Sequence, residues 1–271
     1  MRLSDVGELG LLRELERRGL AQGIENDAAQ LDGDLVVTQD ALVEGVHFRL
    51  DWIGWRDLGF RAAAVNLSDL AASGATPQAL VVTLAAPAHT ELAQVVELYE
   101  GIAEVGVPVV GGDTTRGDSL MLSVTAIGRS ERVPGRAGAR PGDTLVVTGV
   151  LGAAGAAFRR SAYIRPPIRV EEGRLLAATA HALMDVSDGL AVDAARIAER
   201  SGVRLEIDLD QVPLAEGAEL VDLGFGEDYE LLAAGPDAGG FHEIGLCVEG
   251  SGVGLLHEGA KIELGGWQHF R

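Results

Sequence analysis

Apolar runs of strand length alternate with helical apolar stripes along almost the whole chain. Leu9, Leu12 and Leu15 recur at helical spacing over residues 5–18, where Glu14 can reach Arg17 or Arg18 and Gly19 suits a C-terminal cap. A polar turn around Gly23 to Asp27 leads into a predicted strand, Asp34 to Asp40, and residues 43–48 continue as a loop or short strand. Arg56 to Ser73 reads as a helix of small residues closed by Gly74; Ala62, Ala63, Ala71 and Ala72 would let it pack close to a sheet. Asn66 and Asp69, three apart, share one of its faces. Pro77 introduces a buried strand, Ala79 to Ala85. Thr90 and Glu91 then start a helix with Leu92, Val95, Val96, Tyr99 and Ile102 on its apolar side, ending at Gly106.

The β-branched run Val107 to Val110 stops at Gly111-Gly112-Asp113, with Thr114, Thr115 and Arg116 behind it. Glycine allows close approaches that a Cβ would block. Asp113 is therefore expected at a cramped, solvent-reachable edge, with hydroxyl and guanidinium donors beside it. Such a stretch suits phosphate and a hard divalent cation, and it also suits a plain Gly-Asp turn after a buried strand. A further strand covers residues 120–128.

Residues 129–143 are rich in Gly, Pro and Arg and lack apolar periodicity, which places a domain boundary there and divides the chain into 1–130 and 131–271. Beyond it the pattern predicts a strand (Thr144 to Thr148), a helix (Ala153 to Arg160) and an extended stretch from Tyr163 to Pro167. Next come a helix from Glu171 to Leu183, a second ending at Arg200, a strand from Val203 to Leu209, and short strands to the end. Irregular alternation of this kind predicts an α/β or α+β fold with two sheets.

Composition narrows the possible partners. Hydrophobic residues make up 47% of the 271-residue chain and aromatics only 4%, so the cores must be built from Ala, Val and Leu. The formal net charge of −19 argues against nucleic acid or an anionic membrane as the main partner. Lys261 is the only lysine, and Cys247 the only cysteine; an intrachain disulfide and a thiolate metal cluster are excluded. Cys247 lies in a strand-like run and reads as a buried, inert thiol. No apolar stretch has signal-peptide or membrane-spanning length, which points to a cytoplasmic protein.

Motif chemistry excludes as much as it suggests. There is no P-loop, no protein-kinase motif set and no G-x-S-x-G elbow, and the six histidines never take zinc-ligand spacing. What remains is a set of aspartates at strand ends, glycine turns and helix starts: Asp27, Asp40, Asp69, Asp113, Asp185 and Asp188. Hard oxygen ligands without His or Cys favour Mg²⁺ or Ca²⁺. Converging carboxylates would repel one another without metal, whereas several Mg²⁺ ions and a nucleoside triphosphate balance the charge. Separate helix caps and turn residues are the alternative reading. Asn66-Leu67-Ser68-Asp69 and Asp185-Val186-Ser187-Asp188 echo each other, too briefly to define a repeat.

Motifs running nearly end to end resemble those of thiamine-monophosphate kinases, within the superfamily of aminoimidazole ribonucleotide synthetase, selenophosphate synthetase and a hydrogenase-maturation protein. They are Gly7-Glu8-Leu9, Val43-Glu44-Gly45-Val46-His47-Phe48, Asn66-Leu67-Ser68-Asp69, Leu98-Tyr99-Glu100-Gly101, Gly111-Gly112-Asp113-Thr114-Thr115, Arg140-Pro141-Gly142-Asp143, Asp185-Val186-Ser187-Asp188-Gly189, Gly226-Glu227-Asp228-Tyr229-Glu230 and Trp267-Gln268-His269-Phe270. The resemblance implies two α/β domains, the first dimerising through its sheet, with ATP near the interface of a homodimer. It implies transfer of the γ-phosphoryl group of ATP to thiamine phosphate. Asp27, Thr38, Gln39, Asp40, Asp69, Asp113, Asp185 and Asp188 would hold Mg²⁺ ions, with Asp113 and Asp188 central to catalysis. Tyr99, Gly112, Asp113, Arg136 and Ser187 would meet ATP; His47, Glu227 and Trp267 would hold thiamine phosphate. A purine-pathway synthetase of the same superfamily, or an inactive nucleotide-binding protein, are the rival readings. The chain departs from the family at Glu25-Asn26-Asp27, where a Gly-Asp-Asp is usual, and at Gln39 in place of threonine. It is also short between Gly152 and Tyr163 and between Pro213 and Gly224.

Overall fold

The computed structural model describes residues 2–22, 26–237 and 239–267; Glu25 and the residues after Trp267 lie outside the described residues, as does the side chain of Leu9. The first half contains α1 (Leu3–Arg17), β1 (Ala29–Gln30), β2 (Leu35–Val43), α2 (Trp55–Ala72), β3 (Thr76–Ala86), α3 (Leu92–Ala103), β4 (Val109–Arg116) and β5 (Met121–Arg129). The second half contains β6 (Thr144–Val147), α4 (Ala153–Arg159), α5 (Val170–Thr179), β7 (Ala182–Asp185), α6 (Leu190–Ser201), β8 (Arg204–Asp208), a 3-10 turn (Leu220–Gly224), β9 (Leu231–Gly235), β10 (His242–Val248), β11 (Gly252–His257) and β12 (Ala260–Ile262). A five-stranded sheet in the order β1-β2-β5-β3-β4 and a seven-stranded sheet in the order β12-β11-β8-β10-β6-β9-β7 result. Among the described residues no helix is long and apolar enough to cross a membrane.

Two strands run further than the pattern predicts, β2 past Asp40 to Val43 and β4 through Gly111 to Arg116 rather than stopping at the glycines, and one element changes type. The helix expected to reach Leu183 stops at Thr179, and Ala182–Asp185 is a strand paired antiparallel with β9. Every residue of that strand is buried, so it shows no apolar–polar alternation and cannot be told from buried helix by periodicity.

Small residues decide how α2 packs. Its alanines allow burial along most of its length. It crosses α3 so closely that a Cβ built on Gly59 would lie 1.8 Å from the Leu98 carbonyl oxygen, and one on Gly101 1.8 Å from that of Arg56. On its first-sheet side, Leu58, Leu67 and Leu70 pack with Val82, Leu122 and Val124. Ala71 and Ala72 at its other end pack against Leu176, Leu183, Leu231 and Ala233 of the second half. A separate core joins α6 to the second sheet through Leu145, Met184, Ile197 and Leu205, with Cys247 buried among them. α2 is thus the element shared by both halves, and the strand ends beside it border the site.

Candidate active site

A cavity of about 700 Å³ opens between the two halves of the molecule. β2 runs along it, and strand alternation turns Thr38 and Asp40 toward α2. The Asp40 amide donates to Asn66 Oδ1 at 2.9 Å, and Asn66 Nδ2 donates to the Ala62 carbonyl at 2.9 Å, so α2 fixes this part of β2. Asp69, one turn further along α2, has its Oδ2 2.6 Å from Thr38 Oγ1. Ser68 beside it donates to Asp185 Oδ2 at 2.6 Å across the domain junction. Carboxylate oxygens of Asp27, Asp69 and Asp185 all lie within 4.8 Å of one another.

Burial comes first among the causes that raise these acids, and mutual repulsion second. Asp40 is pushed up to about 6, by burial first and then by repulsion from Asp27. Asp69 and Asp185 stand well above the usual carboxylate range, Asp69 also facing Asp40 and Asp185 also facing Asp27. Arg136 pairs with Asp27, and its backbone N–H donates to Asn26 Oδ1 at 3.0 Å. Arg196 pairs with Asp188 and with Asp193, the latter at 2.6 Å. An all-oxygen, acid-rich and largely buried donor set fits a hard divalent cation, which would supply the charge that these carboxylates lack.

The loop after β7 has its own anchor. Asp193 is fully buried, and its Oδ2 accepts the N–H groups of Ser187, Asp188 and Gly189 at 3.0, 2.9 and 3.1 Å. Burial pushes its carboxyl up to about 7. Gly226 lies against that loop, and a Cβ there would meet the Ser187 carbonyl oxygen at 2.3 Å. Glu227 follows with φ +63°, its N–H donating to Ser187 O at 2.8 Å. Trp267 is tied to the same loop, donating from its backbone to Asp188 O at 2.9 Å.

The other end of the cavity is aromatic. Phe158 lies between Trp52 (ring centroids 5.5 Å apart) and Phe225 (4.7 Å), and the Arg49 guanidinium sits 5.0 Å over Trp52. His47 accepts the Val43 N–H through Nδ1 at 3.0 Å.

The cavity therefore brings together Asp27, Thr38, Gln39, Asp40, His47, Asp69, Arg136, Asp185, Ser187, Asp188, Glu227 and Trp267. Gln39 points its amide away, donating to Ser123 Oγ at 2.7 Å. Tyr99, Gly112 and Asp113 do not border this cavity within one chain. Tyr99 lines a separate groove of about 470 Å³ with Ala103 and residues 106–109. Gly112 behaves as expected, since a Cβ on it would lie 1.8 Å from the Val82 carbonyl oxygen. Asp113, however, sits on the exposed edge strand β4. Asp40 is in register with Val124, Val82 and Gly112, so Asp113 lies on the opposite sheet face. At ~4.8 Å per strand, β4 is about 14 Å from β2.

Arg61, Asp193, Arg196 and the aromatic triplet escape the sequence reading. A signal existed for two of them: Arg61 is a cation followed by three alanines within a helix, and Asp193 is an acid in the first turn after Ser187-Asp188-Gly189.

Two sheet-bearing halves with an acid-lined cleft at their junction define the class. Residues 25–130 match the family described as AIR synthase related protein, N-terminal domain, and residues 140–256 match the corresponding C-terminal domain. Within that class the relatives are specific. A thiamine-monophosphate kinase from Aquifex aeolicus is 32% identical over all of both chains. One from Mycobacterium tuberculosis is 36% identical, covering 99% of this chain and 93% of the other. A solved structure of AaThiL complexed with AMPPCP and TMP superposes with a TM-score of 0.90 at 33% identity, covering 99% of both chains. This chain belongs to the thiamine-monophosphate kinase family. The hydrogenase maturation protein HypE, in its complex with HypF, shares the fold at a TM-score of 0.78 and 20% identity, covering 93% of this chain and 98% of the other.

Proposed function

We propose that the chain phosphorylates thiamine phosphate to thiamine diphosphate at the expense of ATP. The observation that carries the reading is the meeting of the Asp27–Asp69–Asp185 cluster with His47, Glu227 and Trp267 on one cavity. Asp27, Asp40, Asp69, Asp185 and Asp188, with Thr38, would hold Mg²⁺, which when bound neutralises phosphate oxygens and orients the γ-phosphoryl group. Arg136 and Ser187 stand beside the acids, where a triphosphate would pass. The carboxylate of Glu227 and the rings of Trp267, Trp52 and Phe158 suit a cationic thiazolium with its aminopyrimidine. The acceptor phosphate is already a nucleophile, so the residues need only align it, exclude water and balance charge.

Asp113 enters this reading through a second copy of the chain. Among the described residues of one chain, no core cluster covers the sheet face that carries Gln39, Ala41, Val81, Ile127 and Asp113. A homodimer formed across that face would bring Asp113 and the Tyr99 groove of one protomer toward the other's cavity.

The deciding experiment is ADP formation with and without thiamine phosphate, at saturating Mg²⁺ and ATP. Turnover that depends on thiamine phosphate supports the reading; ATP binding without such turnover favours an inactive nucleotide-binding protein. A second measurement isolates the acceptor end. Trp267→Ala should weaken thiamine phosphate binding by about tenfold while leaving AMPPCP binding nearly unchanged, each ligand titrated by calorimetry. Equal loss of both would make Trp267 part of the core.

A further inference from the structure

His47 and Glu227 face the acceptor end of the cavity from opposite halves of the molecule, and one side chain holds both. Arg61, on α2, is only 5% exposed. Its NH1 donates to the His47 carbonyl oxygen at 2.6 Å, and its NH2 pairs with Glu227 Oε2. Its Nε is buried with no hydrogen-bond partner among the described residues. A buried guanidinium is kept only where its partners are fixed.

Those partners need fixing. Glu227 and Tyr229 hold φ values of +63° and +51°, a region that residues with side chains leave unless their surroundings compel it. His47 lies in the turn that joins the isolated bridge between Glu44 and Phe48, outside any regular strand. Apolar contacts join the halves to either side, through Ala71, Ala72 and Leu176 at the far end of α2 and through Trp52, Phe158 and Phe225, and Arg61 adds the polar tie that links the His47 turn directly to Glu227. Arg61 engages Oε2 alone, and the Glu227 side chain keeps 30% of its surface exposed, so a cation in the cavity can meet the same carboxylate.

We propose that Arg61 is the positioning residue of the acceptor site, clamping the His47 turn and the Glu227 loop at the separation that receives thiamine phosphate. It deepens the reading above and rests on it. Arg61 touches neither reacting phosphate; it acts through His47 and Glu227. A residue that merely cemented the two halves would affect nucleotide and acceptor alike, because the aspartates also come from both halves.

The test compares wild type, Arg61→Met, Arg61→Lys and Glu227→Gln, with the double variant Arg61→Met/Glu227→Gln. Arg61→Met should raise KM for thiamine phosphate about tenfold or more, with kcat and AMPPCP affinity changed less than about threefold. Arg61→Lys keeps the charge but reaches one partner at a time, and should recover part of the loss. The double variant should be no worse than the poorer single one, since the two residues act as a unit. An unchanged acceptor KM in folded Arg61→Met, or an equal loss of AMPPCP binding, overturns the proposal. Should Arg61→Met fail to fold, an acceptor KM in Arg61→Lys equal to wild type overturns it instead. Absence of thiamine-phosphate-dependent turnover in the wild type overturns the functional reading itself, and this assignment with it.

Discussion

At the scale of single residues the site is a balance between buried carboxylates and the cations near them. Asp27 has Arg136 and Asp188 has Arg196, whereas among the described residues Asp40, Asp69 and Asp185 form no ion pair, and the last two accept from the hydroxyls of Thr38 and Ser68. Their raised affinities for protons fix the sign of a pH effect. The unfolded chain releases these protons near the ordinary value of about 4, and folded Asp40 only near 6. The folded metal-free protein thus binds more protons between those values, and its stability falls as pH rises through about 4 to 6. Thermal melts of metal-free protein should show Tm decreasing by several degrees from pH 4.5 to 7, and the gain from Mg²⁺ with AMPPCP should be larger at pH 7.5 than at pH 5. A Tm that climbs over that range without metal would contradict the buried, converging arrangement. Asp69→Asn removes one repelling charge while keeping the shape. It should leave metal-free Tm at pH 7.5 equal or higher, yet cut turnover by about a hundredfold or more, ~3 kcal/mol of barrier. Asn26 belongs here too: as an acceptor for the Arg136 N–H it does what an aspartate could do, so Glu25→Gly with Asn26→Asp should change turnover by less than about tenfold, ~1.4 kcal/mol.

At the scale of elements α2 carries the site, because it gives Ser68 and Asp69 to the acid cluster, Asn66 to β2 and Arg61 to the His47 turn. Its axis must therefore be held. The crossing with α3 at Gly59 and Gly101 does this by bringing backbone against backbone, where no side chain can adapt. Gly101→Ala should destabilise the fold by about 1–3 kcal/mol through overpacking, read as a lower midpoint in urea unfolding. An unchanged midpoint would mean that the helices part without cost. The loop from Ser187 to Gly189 depends on an element in the same way. Its three amides converge on Asp193 in the first turn of α6.

At the scale of the whole molecule, the placement of Asp113 sets the question. Within one chain it lies on the far face of the sheet from the acids it resembles in sequence context. If the proposed dimer lends Asp113 to the neighbouring cavity, two inactive variants should rescue each other. In a random mixture of Asp113→Asn and Asp185→Asn chains, half the dimers are mixed and each has one intact site. Turnover should then return to about a quarter of the wild-type value after the chains are unfolded and refolded together. Co-refolded chains that stay inactive would place Asp113 outside the neighbouring site.

Local pattern alone determined a good deal here. The helix over Trp55–Ala72, a strand through Asp40 and the close approach at Gly112 all follow from propensity, spacing and the absence of a Cβ, which act between neighbours in the chain. The residue types of the acid cluster were legible too, because hard-ligand chemistry depends on residue type. Tertiary structure alone decided which aspartates meet. Asp27, Asp69 and Asp185 converge because α2 is buried between two sheets, and Asp113 is withheld because strand order places β5 and β3 between β4 and β2. It also decided the roles of Arg61, Asp193 and Arg196. A charged residue on a helix reads as solvated until a second layer covers it, and only long-range packing tells which charges are covered. Strand β7 escapes the pattern for the same reason: once both faces are buried, periodicity is erased, and its pairing with β9 is a contact between distant parts of the chain.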